Sequence, residues 1–139
     1  KLGLSNNFRI IENQIDMAAI YKLADVVVSA STDPEAFGRV VAEAQAMGRP
    51  TVAVNHGGAP EIILQDITGW LFKPGDPIDL SDKILKALKL DNLERKEIAS
   101  KAIRRTVSNF NNDTMCLKTL KIYADLINSN NNEKQYFSN

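Results

Sequence analysis

One cysteine (Cys116) and one histidine (His56) are all that 139 residues provide of either type. A lone cysteine excludes an internal disulfide framework and points to a reducing compartment. The same scarcity excludes a structural zinc site, which needs four such ligands. No apolar run approaches the ~20 residues of a membrane-spanning helix. An excess of one charge is missing too: 17 basic side chains balance 17 acidic ones. A nucleic acid is therefore not the expected partner, because such binders carry a basic surplus that displaces counterions from phosphates. What is present, 44% hydrophobic and 24% charged residues, is ordinary for one globular domain. The chain opens on Lys1 with no signal-peptide pattern, as expected of a piece of a longer protein. The expected setting is cytoplasmic, extending to a peripheral position at the inner face of the membrane.

Short β-branched runs alternate with amphipathic stretches, the pattern of a three-layer α/β/α fold around a parallel, Rossmann-like sheet. Strands are predicted at Phe8 to Ile11, Asp25 to Ser29, Thr51 to Val54 and Trp70 to Phe72. Val26, Val27 and Val28 are uniformly apolar, as in a strand covered on both faces. Helical spacing places Met17, Ile20 and Leu23 or Ala24 on one face, and Val40, Val41, Ala44 and Met47 on another. Gly48-Arg49-Pro50 ends that second helix, with glycine in the C-terminal slot. Pro74-Gly75-Asp76-Pro77 is a turn, and Asp79 is expected to cap the helix beyond it.

From Leu80 onward the pattern is helical. Leu80, Ile84 and Leu88 form one stripe, and Ile98, Ala102 and Ile103 a second. Asn111-Asn112-Asp113 is a capping cluster, after which Met115, Cys116, Leu120, Tyr123, Ala124 and Ile127 are expected in the core. Arg104 and Arg105 are read as a solvated face. Residues 128–139 turn polar and are expected to fray, having too little apolar area to offset their ordering entropy. Residues 1–127 then form the domain.

The stretch from Ser29 to Glu43 carries the chemistry. A strand ends, a loop follows, and a helix is predicted to start near Phe37. In an open parallel sheet, ligands sit beyond the carboxyl ends of the strands. Backbone N–H groups of Ala36, Phe37, Gly38 and Arg39 would face that crevice, and the helix dipole favours an anion such as a phosphate. Gly38 lacks a Cβ, so a ligand can approach the backbone. Glu35 and Glu43 flank the anion site. Eight helical steps would separate them by ~12 Å. Hydrolase carboxylate pairs need roughly 5 to 9.5 Å, so that reading fails, more narrowly for the inverting class. Two hydroxyl-rich groups joined by a charged linker suit the spacing better, and a nucleotide-sugar has that shape. Carboxylates accept hydrogen bonds from its vicinal hydroxyls while helix-end amides take its phosphates. Taken alone, the pair also suits a dipole partner and a solvated face.

The run from Ala24 to Val54 resembles the donor-binding core of family 4 (group 1) retaining glycosyltransferases of the GT-B fold. Their E-x7-E motif matches Glu35 and Glu43. The segment His56-Gly-Gly-Ala-Pro-Glu-Ile-Ile63 is similar to their Gly-Gly-x-x-Glu loop, and Thr68 to Asp76 to their last strand and turn. The likeness covers roughly residues 1–127 with every motif in order, and within the family it is nearest to bacterial enzymes of surface polysaccharide or lipopolysaccharide synthesis. It implies transfer of a sugar from a nucleotide-diphosphate sugar to an acceptor with retention of configuration. The acceptor is unspecified. Glu35 would hold hydroxyls of the transferred sugar and stabilise charge at its anomeric carbon. The backbone from Ala36 to Arg39 would hold sugar and β-phosphate, and Glu43 the ribose hydroxyls. Gly57 and Gly58 would line the donor crevice, while Glu61 matches the motif with its role left open between the site and a helix cap. His56 either contacts donor or acceptor or serves the loop. Arg39 would turn its side chain to solvent and contribute its N–H. The resemblance implies no cofactor and no metal, with helix dipole and basic side chains stabilising the leaving diphosphate.

Two departures stand against the family pattern. Glu12-Asn13-Gln14 replaces a glycine in the loop after the first strand. An N-terminal acceptor domain and two strand–helix units that clamp the pyrophosphate would precede Lys1. With them absent, only half of the donor site is expected, and the isolated piece is expected to be inactive. The alternative is a non-catalytic nucleotide-sugar-binding remnant, or one half of a split enzyme. In the strand order 3-2-1-4-5-6 the Val26 strand would then lie unpaired. It is expected to re-pair with the chain's own first strand or with a second copy, making a homo-oligomer.

Overall fold

The structure, a computed structural model, describes residues 3–12 and 14–136, with side chains to residue 129. Asn13 lies outside the described residues. Its elements run α1 (Met17–Leu23), β1 (Val27–Ser29), α2 (Arg39–Ala46), β2 (Thr51–Val54), α3 (Ala59–Ile62), β3 (Trp70–Phe72), α4 (Pro77–Leu88), α5 (Asn92–Asn109) and α6 (Asn112–Tyr136). The strands form one parallel sheet in the order β1-β2-β3. Val28 pairs with Val52 and Ala53 with Leu71.

Alternation along β2 builds the core on both faces at once. Ala53 packs with Val41 and Ala42 of α2 and Ile62 of α3. Val52 and Val54 turn to the other face and pack with Trp70, Phe72 and Ala87. Full burial of a large apolar side chain such as Ile62 contributes roughly 1.5–3 kcal/mol. Helices therefore cover both faces of the sheet, as the alternating sequence pattern implied. α5 lies along α2, with Ala99 and Ile103 beside Gly48 at positive φ, so the Gly48 turn ends α2 where α5 presses closely.

Several sequence expectations need correction. Residues 8–11 form no strand, and Phe8, Ile10 and Ile11 are exposed. With no neighbour to pair with, that extended run has no ladder to join. β1 therefore pairs with β2 alone among the described strands, and the expected re-pairing with the first run does not occur. In α1 the buried residue is Tyr21, while Leu23 is exposed. Asp76, not Asp79, caps α4, accepting from the amides of Ile78 and Asp79. Asp79 instead accepts from the Lys73 amide at 2.8 Å, which closes the preceding turn.

The C-terminal part departs further. Asn111 caps α6 through the Thr114 amide at 2.7 Å. Met115, Cys116, Leu120, Tyr123 and Ile127 are exposed rather than core, because α6 extends beyond the sheet without an element to cover its stripe. The helix itself runs to Tyr136. Propagating an existing helix adds one hydrogen bond per residue, so a polar stretch can follow a nucleated one. No helix among the described residues is long and apolar enough to cross a membrane.

Candidate functional site

The carboxyl ends of β1 and β2 open into two loops, residues 30–38 and 55–58. They are held together mainly by backbone. The Gly58 amide donates to the Glu35 carbonyl at 2.8 Å. A Cβ at Gly57 would lie 2.4 Å from the Glu35 carbonyl oxygen, and one at Gly58 would lie 2.2 Å from that of Phe37. Glycine at both positions lets the second loop press against the first.

Gly38 ends the first loop at φ 87° and forms the N-cap of α2. The helix thus begins at Arg39, two residues later than predicted, and Ala36 and Phe37 belong to the loop. Asp16, Asp76 and Asp91 cap α1, α4 and α5 with their carboxylates. Gly38 has no side chain to do the same, so the first amides of α2 lack that partner. Of the span from Glu35 to Glu43 only the part from Arg39 onward is helical, so the ~12 Å separation of eight helical steps does not describe this pair. Phe37 is fixed at the tip by an edge contact with Phe110, ring centroids 5.7 Å apart.

The two glutamates have different surroundings. Glu35 is exposed and borders a small cavity with Ser29, Ser31, Gly38 and His56. Glu43 faces α1, where the Tyr21 hydroxyl donates to Oε2 at 2.9 Å. Its Oε1 accepts from Arg39 Nη2 at 3.1 Å. Arg39 is therefore exposed, as expected, but its guanidinium is engaged. Burial, reinforced by the Glu43 carboxylate, pushes the Tyr21 hydroxyl up to about 12.

His56 Nε2 lies 3.2 Å from the Ser31 carbonyl oxygen. A carbonyl only accepts, so this nitrogen carries the proton and Nδ1 is left buried without a partner. His56 thereby ties the two loops together. It also borders a larger cavity of about 370 Å³, lined with Ser31, Thr32, Phe72 and Asp76. Glu61 lies in the first turn of α3 with its side chain exposed.

Sequence reasoning missed Tyr21, Gln45 and Arg105. Gln45 is fully buried, and its Nε2 donates to the carbonyl and hydroxyl oxygens of Thr68 at 3.0 and 3.2 Å. A polar side chain on the apolar face of Val41 and Ala44 was the available signal. Arg105 is not a solvated residue: it donates to the carbonyls of Glu61 and Ile62 at 2.7 and 2.9 Å, closing the end of α3. Among the described residues, no three His, Cys, Asp or Glu side chains gather as a metal site would require.

A parallel sheet with helices on both faces, and with an open helix terminus and two clasped loops at its carboxyl edge, is part of a doubly wound α/β domain. Comparison with known proteins specifies the family. Residues 1–105 match the family model of glycosyl transferases group 1, and the chain belongs to that family. It is 39% identical over 108 residues to D-inositol 3-phosphate glycosyltransferase of Xylanimonas cellulosilytica, covering 78% of this chain and 25% of that protein. It is 27% identical over 133 residues to N-acetyl-alpha-D-glucosaminyl L-malate synthase of Bacillus anthracis, covering 96% and 34%. Among solved structures, a glycosyltransferase from Rickettsia africae superimposes with a TM-score of 0.83 at 36% identity, over 89% of this chain and 33% of that one. HepE of Anabaena, solved in complex with UDP-glucose, gives 0.81 at 31% identity, over 89% and 34%. These neighbours are GT-B glycosyltransferases, and the fold seen here is the C-terminal part of their donor domain. The chain spans 25–34% of the length of these curated relatives.

Proposed function

We propose that this chain is the donor-binding part of a glycosyltransferase that moves a sugar from a nucleotide-diphosphate sugar to an acceptor with retention of configuration. The observation that carries the reading is the uncapped start of α2 at Gly38, clasped by Gly57 and Gly58 and bordered by Glu35. Anionic oxygens are stabilised at such a terminus by free amides and by the helix dipole. HepE, a structural neighbour, binds UDP-glucose, which supports a donor of the same class here. In this reading the diphosphate lies against Ala36 to Arg39. Glu35, exposed at the loop, accepts hydroxyls of the sugar and stabilises charge at the anomeric carbon. Glu43 takes the ribose. The helix terminus, without a metal or cofactor, stabilises the leaving diphosphate.

An N-terminal acceptor domain supplies the rest of the site. The setting is the cytoplasm, extending to the inner membrane face, and the acceptor belongs, on sequence resemblance, to surface polysaccharide or lipopolysaccharide assembly. The free edge of β1 favours a second reading, in which the chain is a binding remnant or one half of a split enzyme completed by another polypeptide. In either case the isolated chain is expected to show no sugar transfer.

Titration of the ¹⁵N-labelled chain with UDP-glucose tests the site. Amide shifts concentrated at residues 35–40 and 56–58 are expected, weakened by Glu35→Ala. Shifts confined to α5 and α6 would overturn the reading.

A further inference from the structure

Both carboxylate oxygens of Glu43 are already occupied, and by donors of opposite character. Tyr21 is buried, 5% exposed, and its hydroxyl reaches Oε2 from α1, a different helix. Arg39 reaches Oε1 from one turn earlier on the same helix, with a side chain 84% exposed. A buried hydroxyl on a packed ring has one place to be. An exposed guanidinium on a flexible stem gains little from a surface ion pair and gives it up readily. The two oxygens of one carboxylate are thus unequal: Oε2 is fixed and Oε1 is exchangeable.

We infer that Tyr21 is a positioning residue which pins Glu43 so that Oε1, covered among the described residues by Arg39 alone, is the atom offered to the ribose hydroxyls of the donor. The inference rests on the ribose role proposed for Glu43. Without the Tyr21 hydroxyl, the carboxylate turns freely about its terminal torsion and either oxygen can pair with Arg39. The ribose then meets a group whose orientation has to be fixed on binding, and that cost cancels most of what the new hydrogen bonds contribute. Arg39, once displaced, is left beside the start of α2, where the diphosphate is proposed to lie.

The readout is the preference for ribose over a pentose without hydroxyls, measured as the ratio of dissociation constants for 2′,3′-dideoxy-UDP and UDP by NMR titration of the 139-residue chain. The ratio is internal to each variant, so a change in global stability does not move it. The expected ratio is about tenfold or more in the original chain, the size of a hydrogen bond to a charged acceptor. In Tyr21→Phe it falls to threefold or less. A ratio unchanged in Tyr21→Phe overturns the positioning role and leaves the proposed function standing. No preference in the original chain, or no binding of either probe, removes the ribose role of Glu43 and this inference with it. The unsubstituted chain provides a second test should Tyr21→Phe not fold. Shielded from solvent, the Tyr21 hydroxyl proton is expected to keep its resonance at UDP saturation while the Arg39 side-chain N–H signals shift. Loss of the hydroxyl resonance on saturation would show Glu43 leaving Tyr21 for the ligand, and overturn the inference.

Discussion

The Gly58 amide donates to the Glu35 carbonyl at 2.8 Å, joining the second of two loops to the first. This bond sets the distance between the two loop backbones, and it closes because neither glycine carries a Cβ. Gly58→Ala places a methyl carbon 2.2 Å from the Phe37 carbonyl oxygen, a backbone atom that cannot swing aside. The expected loss is about 3 kcal/mol, at the upper end of ordinary overpacking. Chemical denaturation measures it. A variant as stable as the original would mean that the loops are not clasped.

Gln45 links α2 to the Thr68 turn through two hydrogen bonds in a fully buried position. Gln45→Ala removes both and leaves a cavity between α2 and the turn before β3. Thr68 keeps a bond from the Leu64 amide to its hydroxyl oxygen, while its carbonyl loses the Gln45 donor. The expected destabilisation is ~2–4 kcal/mol, the sum of lost packing and an unsatisfied polar group. Gln45→Glu would cost at least as much, since a carboxylate cannot donate to the Thr68 carbonyl. Thermal unfolding of the two variants side by side checks the ordering.

Tyr21 sets an alkaline limit. Its hydroxyl is held at about 12, against 10.0 for a free tyrosine, first by burial and then by its bond to Glu43. Between those values the unfolded chain has lost the proton while the folded one keeps it. The stabilisation is complete below pH 10 and drains away as pH rises through about 12. Stability should therefore fall across that window, and more steeply than in Tyr21→Phe, which has no proton to lose there. Urea unfolding midpoints between pH 9 and 11.5 compare the two. Parallel curves would rule out a buried, carboxylate-bonded tyrosine.

Three of the four predicted strands and the helices between them were legible because they pack locally. Val27 to Ser29, Thr51 to Val54 and Trp70 to Phe72 each meet a neighbour, so propensity and tertiary context agree. Phe8 to Ile11 has the same propensity and no partner, and an extended run without a ladder is no strand. Spacing also missed which face wins. In α1, Tyr21 is buried over Leu23 because a long-range partner, Glu43, awaits its hydroxyl. Arg105 looked solvated because the carbonyls it caps lie 43 and 44 residues away. The glutamate pair and the two glycines were visible in sequence, but the clasp between their loops was not. Apart from the His56 side chain on the Ser31 carbonyl, it consists of backbone contacts that no side-chain pattern encodes.

β1 ends the sheet with one edge unpaired among the described strands, and Val28 on it is partly exposed. An apolar, unpaired strand edge is a template for another chain. The expected behaviour is concentration-dependent association, read by light scattering during size-exclusion chromatography. Val28→Lys should shift the population towards monomer, because a charge on an edge strand resists pairing. A species that is monomeric at every concentration would exclude pairing through this edge.

Arg105 ties α5 to α3 at the carboxyl end of the short helix that follows the Gly57–Gly58 turn. Its Nε and Nη2 donate to the Ile62 and Glu61 carbonyls, two of the last groups of α3 without partners inside the helix. A planar fork satisfies both at once, and its charge complements the negative end of the helix dipole. Partial exposure limits the worth of the interaction, so Arg105→Ala is expected to cost about 1–2 kcal/mol. Lysine offers one point of contact in place of the fork, and Arg105→Lys should recover less than half of the loss. The more telling readout is local. Releasing the end of α3 frees the glycine turn at its other end, so amide hydrogen exchange at residues 57–63 should quicken more than in β2. Exchange that rises equally in both places would mean that Arg105 contributes to global stability alone and does not hold the loop on which the proposed donor site depends.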